Sequence, residues 1–403
     1  RCCLPKTALA SDFRDITCAL FAAAERGVKI RIVADGFNER KLNGFSEFKA
    51  LAGHENAEVT IYNPVNPAAF QRANFRLHDK YLVCDDETYL LGGRNIGDYF
   101  LGAYCAENKR NLDRDVLVSC PAAESSGKNG AGGDKIRSVS EVKAYFKRVQ
   151  SEKHNAAFGG VSGGKRYEKS AAKMRARYAA LKEKYPDISR AIDAETEMSA
   201  TKGIALLHGE TQAGAKQPLL WKSILNEAKG TGETVIQTPY AICDKAMYSD
   251  IAELAQSGTA VTIATNSVRS GANPWGCADF PVSKTKLLKA GAAVLEISAE
   301  RSSHVKTVLA GKNMSYIGSF NLDMRSVYLN TETVLAIDSE EINEALKEKV
   351  RALAETGTIT KTNDEGGYEF YPGEKYEYRR VPLAKNFVYS VLRIVILPIR
   401  HLL

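Results

Sequence analysis

His78-Asp79-Lys80-Tyr81-Leu82-Val83-Cys84-Asp85 runs through a turn into Tyr89-Leu90-Leu91-Gly92-Gly93-Arg94-Asn95. The same frame returns as His304-Val305-Lys306-Thr307-Val308-Leu309-Ala310-Gly311, followed by Tyr316-Ile317-Gly318-Ser319-Phe320-Asn321. The copies lie 226 positions apart. In each, Lys follows His by two positions and Asn follows it by seventeen. Only six histidines occur in the chain, and two of them hold this frame. Each copy reads as a hairpin, with His and Lys at the entry and Gly-x-Asn at the end of the returning strand. Two residues apart on extended chain, His and Lys share a face. A duplicated His/Lys/Asn set predicts one site built from two matching halves.

The flanks repeat as well. Residues 12–26 read as a helix with Phe13, Leu20, Phe21 and Ala24 on one side, ended by Gly27 and followed by strand 28–33. Residues 246–257 read as a helix ended by Gly258, with strands at 235–240 before it and 261–264 after it. Strand, helix, strand and His/Lys motif therefore occur twice, an internal duplication of an α/β unit.

Between the halves, 121–135 reads as a Gly/Ser/Ala linker and 136–150 as a helix with Val139, Val142, Tyr145, Phe146 and Val149 at helical spacing. A Lys/Arg/Ala-rich helix over 167–184 reads as a solvated charged face. The expected division is a first lobe over 1–120, a linker and helical insertion over 121–230, a second lobe over 231–380 and an apolar tail over 381–403. Phe387 to Ile399 is nearly continuous apolar sequence. As a helix it spans roughly 20 Å, short of a bilayer's ~30 Å core, so it lies at a membrane interface or docks on the protein's own core. Arg1 to Pro5 resembles the end of a strand whose beginning is missing, and an anchor could have preceded it.

At 403 residues, 44% hydrophobic and 26% charged, the chain has the composition of a large globular protein. Its net charge of +7 fits an anionic partner such as phospholipid headgroups or nucleic acid. The eight cysteines form no Cys-x-x-Cys pair, so zinc-site spacing is lacking. Cys84 and Cys120 read as buried thiols.

The duplicated residues suit phosphoryl-group chemistry. One imidazole can attack phosphorus, while a second protonates the leaving oxygen and later deprotonates the acceptor. Two lysines and two amides can hold the non-bridging oxygens. No metal or cofactor is needed. Each imidazole requires a carboxylate to fix its tautomer. Glu332 and either Asp113 or Asp115 are the candidates, each leading into an apolar strand. We expect each to serve the histidine of its own half, Glu332 with His304 and Asp113 with His78. His54, His154, His208 and His401 have no such context, and Trp221 and Trp275 read as packing residues.

These residues resemble the phospholipase D superfamily, whose signature is His-x-Lys-x4-Asp followed by Gly-Gly/Ser-x-Asn. The resemblance implies two α/β/α lobes about a pseudo-twofold axis, with the site at their interface and a phosphohistidine mechanism. It implies that His78, Lys80, Asn95, His304, Lys306 and Asn321 are catalytic, with Glu332 and Asp113 beside them. It marks Gly93, Ser319 and Arg325 as substrate contacts, Arg325 being equally readable as half of a salt bridge. Asp85 fills the motif's structural Asp position, whereas Gly311 stands there in the second copy. The words Gln237-Thr238-Pro239-Tyr240, Thr265-Asn266-Ser267 and Asn330-Thr331-Glu332 resemble bacterial cardiolipin synthases, in the branch without N-terminal membrane spans. That implies phosphatidylglycerol, with phosphatidylethanolamine as a candidate second lipid, and peripheral attachment to the bacterial inner membrane. The rival activities are hydrolysis by a phospholipase D, cleavage of nucleic acid, and a binding module without catalysis.

Overall fold

A computed structural model describes residues 2–4, 11–119, 131–189, 198–378 and 380–403. Of the linker predicted over 121–135, residues 121–130 lie outside them, as does Cys120, and 131–135 are not linker but the start of a helix, Ala131–Gln150.

The first lobe carries a seven-stranded sheet made of β1 (Cys2–Leu4), β2 (Ile30–Asp35), β3 (Ala57–Tyr62), β4 (Tyr81–Cys84), β5 (Thr88–Gly92), β6 (Asp115–Ser119) and β7 (Ala156–Ala157), in the order β6-β5-β4-β1-β2-β3-β7. β1, β2 and β3 run parallel, and β4, β5 and β6 form an antiparallel meander. The second lobe repeats this plan. Its strands are β8 (Gly203–His208), β9 (Glu233–Gln237), β10 (Ala241–Ile242), β11 (Ala260–Asn266), β12 (Ala293–Ile297), β13 (Thr307–Ala310), β14 (Met314–Gly318), β15 (Leu322–Asp323), β16 (Thr333–Asp338), β17 (Thr358–Thr362) and β18 (Tyr368–Pro372). Nine of them form the sheet β18-β17-β12-β11-β9-β13-β14-β16-β8, and β10 pairs separately with β15. Parallel β9-β11-β12 and antiparallel β13-β14-β16 match the corresponding parts of the first lobe.

The helices include α1 (Ser11–Glu25), α2 (Ala131–Gln150), α3 (Gly164–Lys184), α4 (Leu219–Ala228), α5 (Lys245–Gln256), α6 (Pro274–Lys289), α7 (Met324–Tyr328), α8 (Glu340–Ala354) and α9 (Leu383–Ile396), besides short ones at Glu39–Asn43, Ser46–Ala52 and Asp98–Leu101. α1 and α5 stop where predicted. Gly27 (φ 92°) and Gly258 (φ 84°) take the left-handed conformation that ends a helix at low cost. The apolar stripe of α1 packs beneath the first sheet with Phe45, Phe48 and α3. α4, α5 and α6 cover the outer face of the second sheet.

The two sheets meet face to face. Val33, Tyr81, Val83 and Leu91 of the first join Ile317, Leu335 and Ile337 of the second in one core. Val139, Val142, Tyr145, Phe146 and Val149 of α2 fill it from the side.

The stretch 131–230 is therefore not a separate insertion. α2 is shared core, β7 pairs with β3, α3 packs on α1, and β8 is the edge strand of the second sheet. Local periodicity identified the helices but could not say what they cover. α3 is also more than a solvated face, since Ala171, Met174 and Leu181 are buried. Cys84, expected to be buried, is exposed beside the hairpin turn. α9 docks on α6 through Tyr389 and Ile396, with its other side in solvent. Among the described residues, no helix is long and apolar enough to cross a membrane.

Candidate active site

Both His/Lys pairs lie where their sheets join, immediately before the meander hairpins β4-β5 and β13-β14. The lobes are sewn together there by two matching seams. Leu77 bridges Thr331 in parallel, and Leu112 bridges Ser303 in the same way. The His78 amide donates to Thr331 Oγ1 at 3.2 Å, and the His304 amide to the Leu112 carbonyl at 2.6 Å. Each histidine thus sits on a strand end held by the carboxylate-bearing segment of the other lobe.

The carboxylates follow. His78 Nδ1 is 2.9 and 3.0 Å from the two oxygens of Glu332. His304 Nδ1 is 2.7 Å from Asp113 Oδ2. This reverses the expected pairing within each half. Crossover at the seams brings each Asp or Glu to the opposite imidazole, and sequence proximity could not reveal it. Of the two candidates, Asp113 is the partner. Asp115 instead binds Arg94, whose Nε is 2.6 Å away. With Nδ1 on a carboxylate, the reacting nitrogen of each ring is Nε2.

The two carboxylates are supported differently. Ser319 Oγ donates to Glu332 Oε2, and Ser326 Oγ donates to Oε1 at 2.7 Å. Asp113 receives the Arg114 amide at 2.9 Å. Gly93, at the position matching Ser319, leaves no room for a side chain: a Cβ there would stand 2.5 Å from Asp113 Oδ1. Ser319 and Gly93 therefore shape the carboxylate pockets. The Arg325 guanidinium, in place of a salt bridge, donates to the Leu402 and Asn74 carbonyls at 2.6 and 2.9 Å.

Lys80 and Lys306 are both buried. Lys80 Nζ donates to the His78 carbonyl. Lys306 Nζ donates to the His304 carbonyl at 2.5 Å and lies 3.2 Å from His304 Nε2. Burial pushes Lys80 down to about 7 and Lys306 to about 8. Burial, with Lys306 adding to it, lowers His304 to about 4, so this imidazole is neutral at pH 7. Burial opposes ionisation of Asp113, but the His304 hydrogen bond and the Lys306 charge outweigh it and hold Asp113 below its ordinary value. Glu332 is raised to about 7 by burial, against the pull of Lys80. Asn321 is buried, and its Oδ1 has no hydrogen-bond partner; Asn95 is half-buried.

Asp85 and Gly311 explain each other. Both stand at the hairpin turn with positive φ, 52° and 57°. Asp85 is exposed and lies at the turn, so the second copy needs only a residue that tolerates this conformation.

A cavity of about 190 Å³ opens beside His304, lined among others by Phe100, Asn111, Tyr240, Asn273 and Ser302. The Phe100 ring meets the His304 ring edge-on at 4.9 Å. Sequence reading missed Phe100, Ser326, Thr331 and Arg114. None has a spacing signal; Arg114 Nη1 reaches Thr307 Oγ1 at 2.7 Å only because the lobes meet.

The arrangement can take a phosphodiester between two imidazoles with two cations at hand. Comparison with known proteins agrees. Residues 6–117 and 222–354 match the family described as "Cardiolipin synthase, PLD-like domain". Cardiolipin synthase C of Escherichia coli is 27% identical over 82% of this chain and 74% of its own length. A Staphylococcus aureus cardiolipin synthase is 24% identical over 86% of this chain and 61% of its own. In fold, the chain is similar to a phosphatidylserine synthase of Haemophilus influenzae, with TM-score 0.64 and 14% identity, over 100% of this chain and 88% of that one. With the family match on both repeats and the two halves meeting in one site, the chain belongs to the phospholipase D superfamily, as an enzyme of its cardiolipin synthase type.

Proposed function

We propose that the protein is a phosphatidyltransferase that forms cardiolipin from phosphatidylglycerol and a second phospholipid. The observation that carries the phosphoryl-transfer part is the pair of imidazoles, each with Nδ1 on a buried carboxylate of the other lobe. The relatives, named as cardiolipin synthases, support the lipid. One Nε2 attacks the phosphorus of the donor lipid, forming a P–N bond as the P–O bond to the headgroup breaks. The other imidazole, entering the step as an imidazolium, gives from Nε2 the proton that the headgroup oxygen takes away and is left neutral. It then accepts the proton of the phosphatidylglycerol hydroxyl, whose oxygen attacks phosphorus and releases the histidine. Lys80 and Lys306 hold the charge on the non-bridging oxygens, and the Nδ2–H groups of Asn321 donate to the same oxygens. The substrates are membrane lipids, so the enzyme works at a membrane surface.

Hydrolysis is the second reading, because both imidazoles keep about a fifth of their surface exposed (21% and 20%) and water reaches them. Mass spectrometry of lipids after incubation with phosphatidylglycerol decides. Cardiolipin with free glycerol supports the transferase, and phosphatidic acid alone replaces it with a phospholipase D. Unchanged lipid together with cleavage of a nucleic acid would point to a nuclease. Acid-free quenching and peptide mapping then locate the phosphohistidine.

A further inference from the structure

We propose that α9 and the turn after it (Leu397–Leu402) lie in the headgroup region of an anionic phospholipid bilayer and hold the active-site cavity there. This deepens the lipid reading above and rests on it.

The helix is apolar on both sides. Its protein-facing side packs Tyr389, Leu392 and Ile396 against Cys277 and Ala278, with polar fixings beside them. Lys385 Nζ donates to the Arg269 carbonyl at 2.9 Å, and Arg393 Nε to that of Ala278 at 3.1 Å. Just beyond the helix, Arg400 forks onto Asp279 at 2.8 and 3.0 Å. The opposite side presents Leu383, Phe387, Val391 and Ile394, with Leu397 following, all between 45% and 72% exposed. A helix that packs on a core in water turns its apolar stripe inward. Here one apolar side packs, polar bonds flank it, and a second apolar stripe faces out, the signature of a surface awaiting an apolar partner.

Charge selects the partner. From Arg379 to Leu403 the sequence holds five Arg and Lys residues and neither Asp nor Glu; Arg400 is neutralised by Asp279, while Lys385 and Arg393 bond backbone carbonyls and keep their charge. Cations flanking an apolar stripe fit anionic headgroups above acyl chains. At 14 residues the helix is about 21 Å long, too short to cross, so it lies in the plane.

The surface is also tied to the site. α6, which carries α9, is capped by Asn273, a residue lining the cavity beside His304. Arg325 joins the Leu402 carbonyl to that of Asn74, four residues before His78.

The test uses the full chain, sedimented with phosphatidylcholine vesicles with or without phosphatidylglycerol, and a Phe387→Glu/Ile394→Glu double variant. The expected result is binding that requires phosphatidylglycerol and is about tenfold or more weaker in the variant, with melting temperature and turnover of water-soluble short-chain phosphatidylglycerol unchanged. Equal vesicle binding by the two proteins overturns the proposal. So does a variant that changes only from dimer to monomer in light scattering, since a second copy then covers the face. Wild type that turns over short-chain lipid without binding vesicles defeats this inference and leaves the transferase standing. Variant-sensitive vesicle binding without lipid turnover defeats the transferase and supports the inference.

Discussion

Glu332 has no exposed surface, yet it faces an imidazole and two hydroxyls, all aimed at its carboxylate. A buried carboxylate persists only when it is hydrogen-bonded on this scale. Its contribution is to fix the His78 tautomer, so Glu332→Gln should lower kcat by about 10² to 10⁴-fold with the fold retained. Steady-state turnover beside a circular dichroism spectrum checks this. Asp113→Asn should act likewise through His304. The lysines set the pH response. Lys80 and Lys306 are lowered from 10.5 to about 7 and 8, so they lose charge as pH rises through that window. The expected outcome is that kcat/KM, which reports the free enzyme, falls on the alkaline side between pH 7 and 9. A phosphodiester bound against them favours their charged forms, so kcat should fall at higher pH than kcat/KM. Coincident profiles would count against lysines that hold the phosphate.

At the scale of elements, the two hairpins are the same object with different turns. Asp85→Gly should leave activity within about twofold and stability within about 1 kcal/mol, because glycine already serves at the matching Gly311. A large activity loss would show that the Asp85 carboxylate does more than turn the chain. Gly93→Ala is the opposite case. Its Cβ would meet Asp113 Oδ1 at 2.5 Å and come within 3.4 Å of the Lys306 side chain. Overpacking of this kind costs about 1–3 kcal/mol, and here the displaced atoms belong to the site. Turnover should therefore fall more steeply than the melting temperature. Denaturant titration and lipid turnover on the same preparation separate the two effects.

At the scale of the molecule, α2 decides whether there is one folding unit or two. Its Phe146 and Tyr145 lie in a core to which both sheets contribute. Tyr145 also donates to the buried Asp79 between the motif's His and Lys, at 3.0 Å. Phe146→Ala should cost about 3–5 kcal/mol and shift a single unfolding transition followed by tryptophan fluorescence and circular dichroism together. Two separated transitions would mean that the lobes fold independently.

The sequence alone determined the repeat, the hairpins, the helix ends at Gly27 and Gly258, and the duplicated His/Lys/Asn frame. Those features are local: periodicity, turn chemistry and fixed spacing are written within a few tens of residues. The tertiary structure decided that Glu332 serves His78 and Asp113 serves His304, that Ser319 and Gly93 build carboxylate pockets, that Arg325 ties the last turn to the first lobe, and that α2 belongs to both sheets. The Ser319 and Gly93 pockets form between neighbouring strands of one sheet, and the rest depend on how two sheets pack face to face. Residues more than a hundred positions apart then meet at 3 Å, and no local pattern encodes which ones. The mounting of α9 has the same origin. Its apolar run is plain in the sequence, but which side faces the protein was settled by the apolar surface at Cys277 and Ala278 and by Asp279 and two backbone carbonyls beside it.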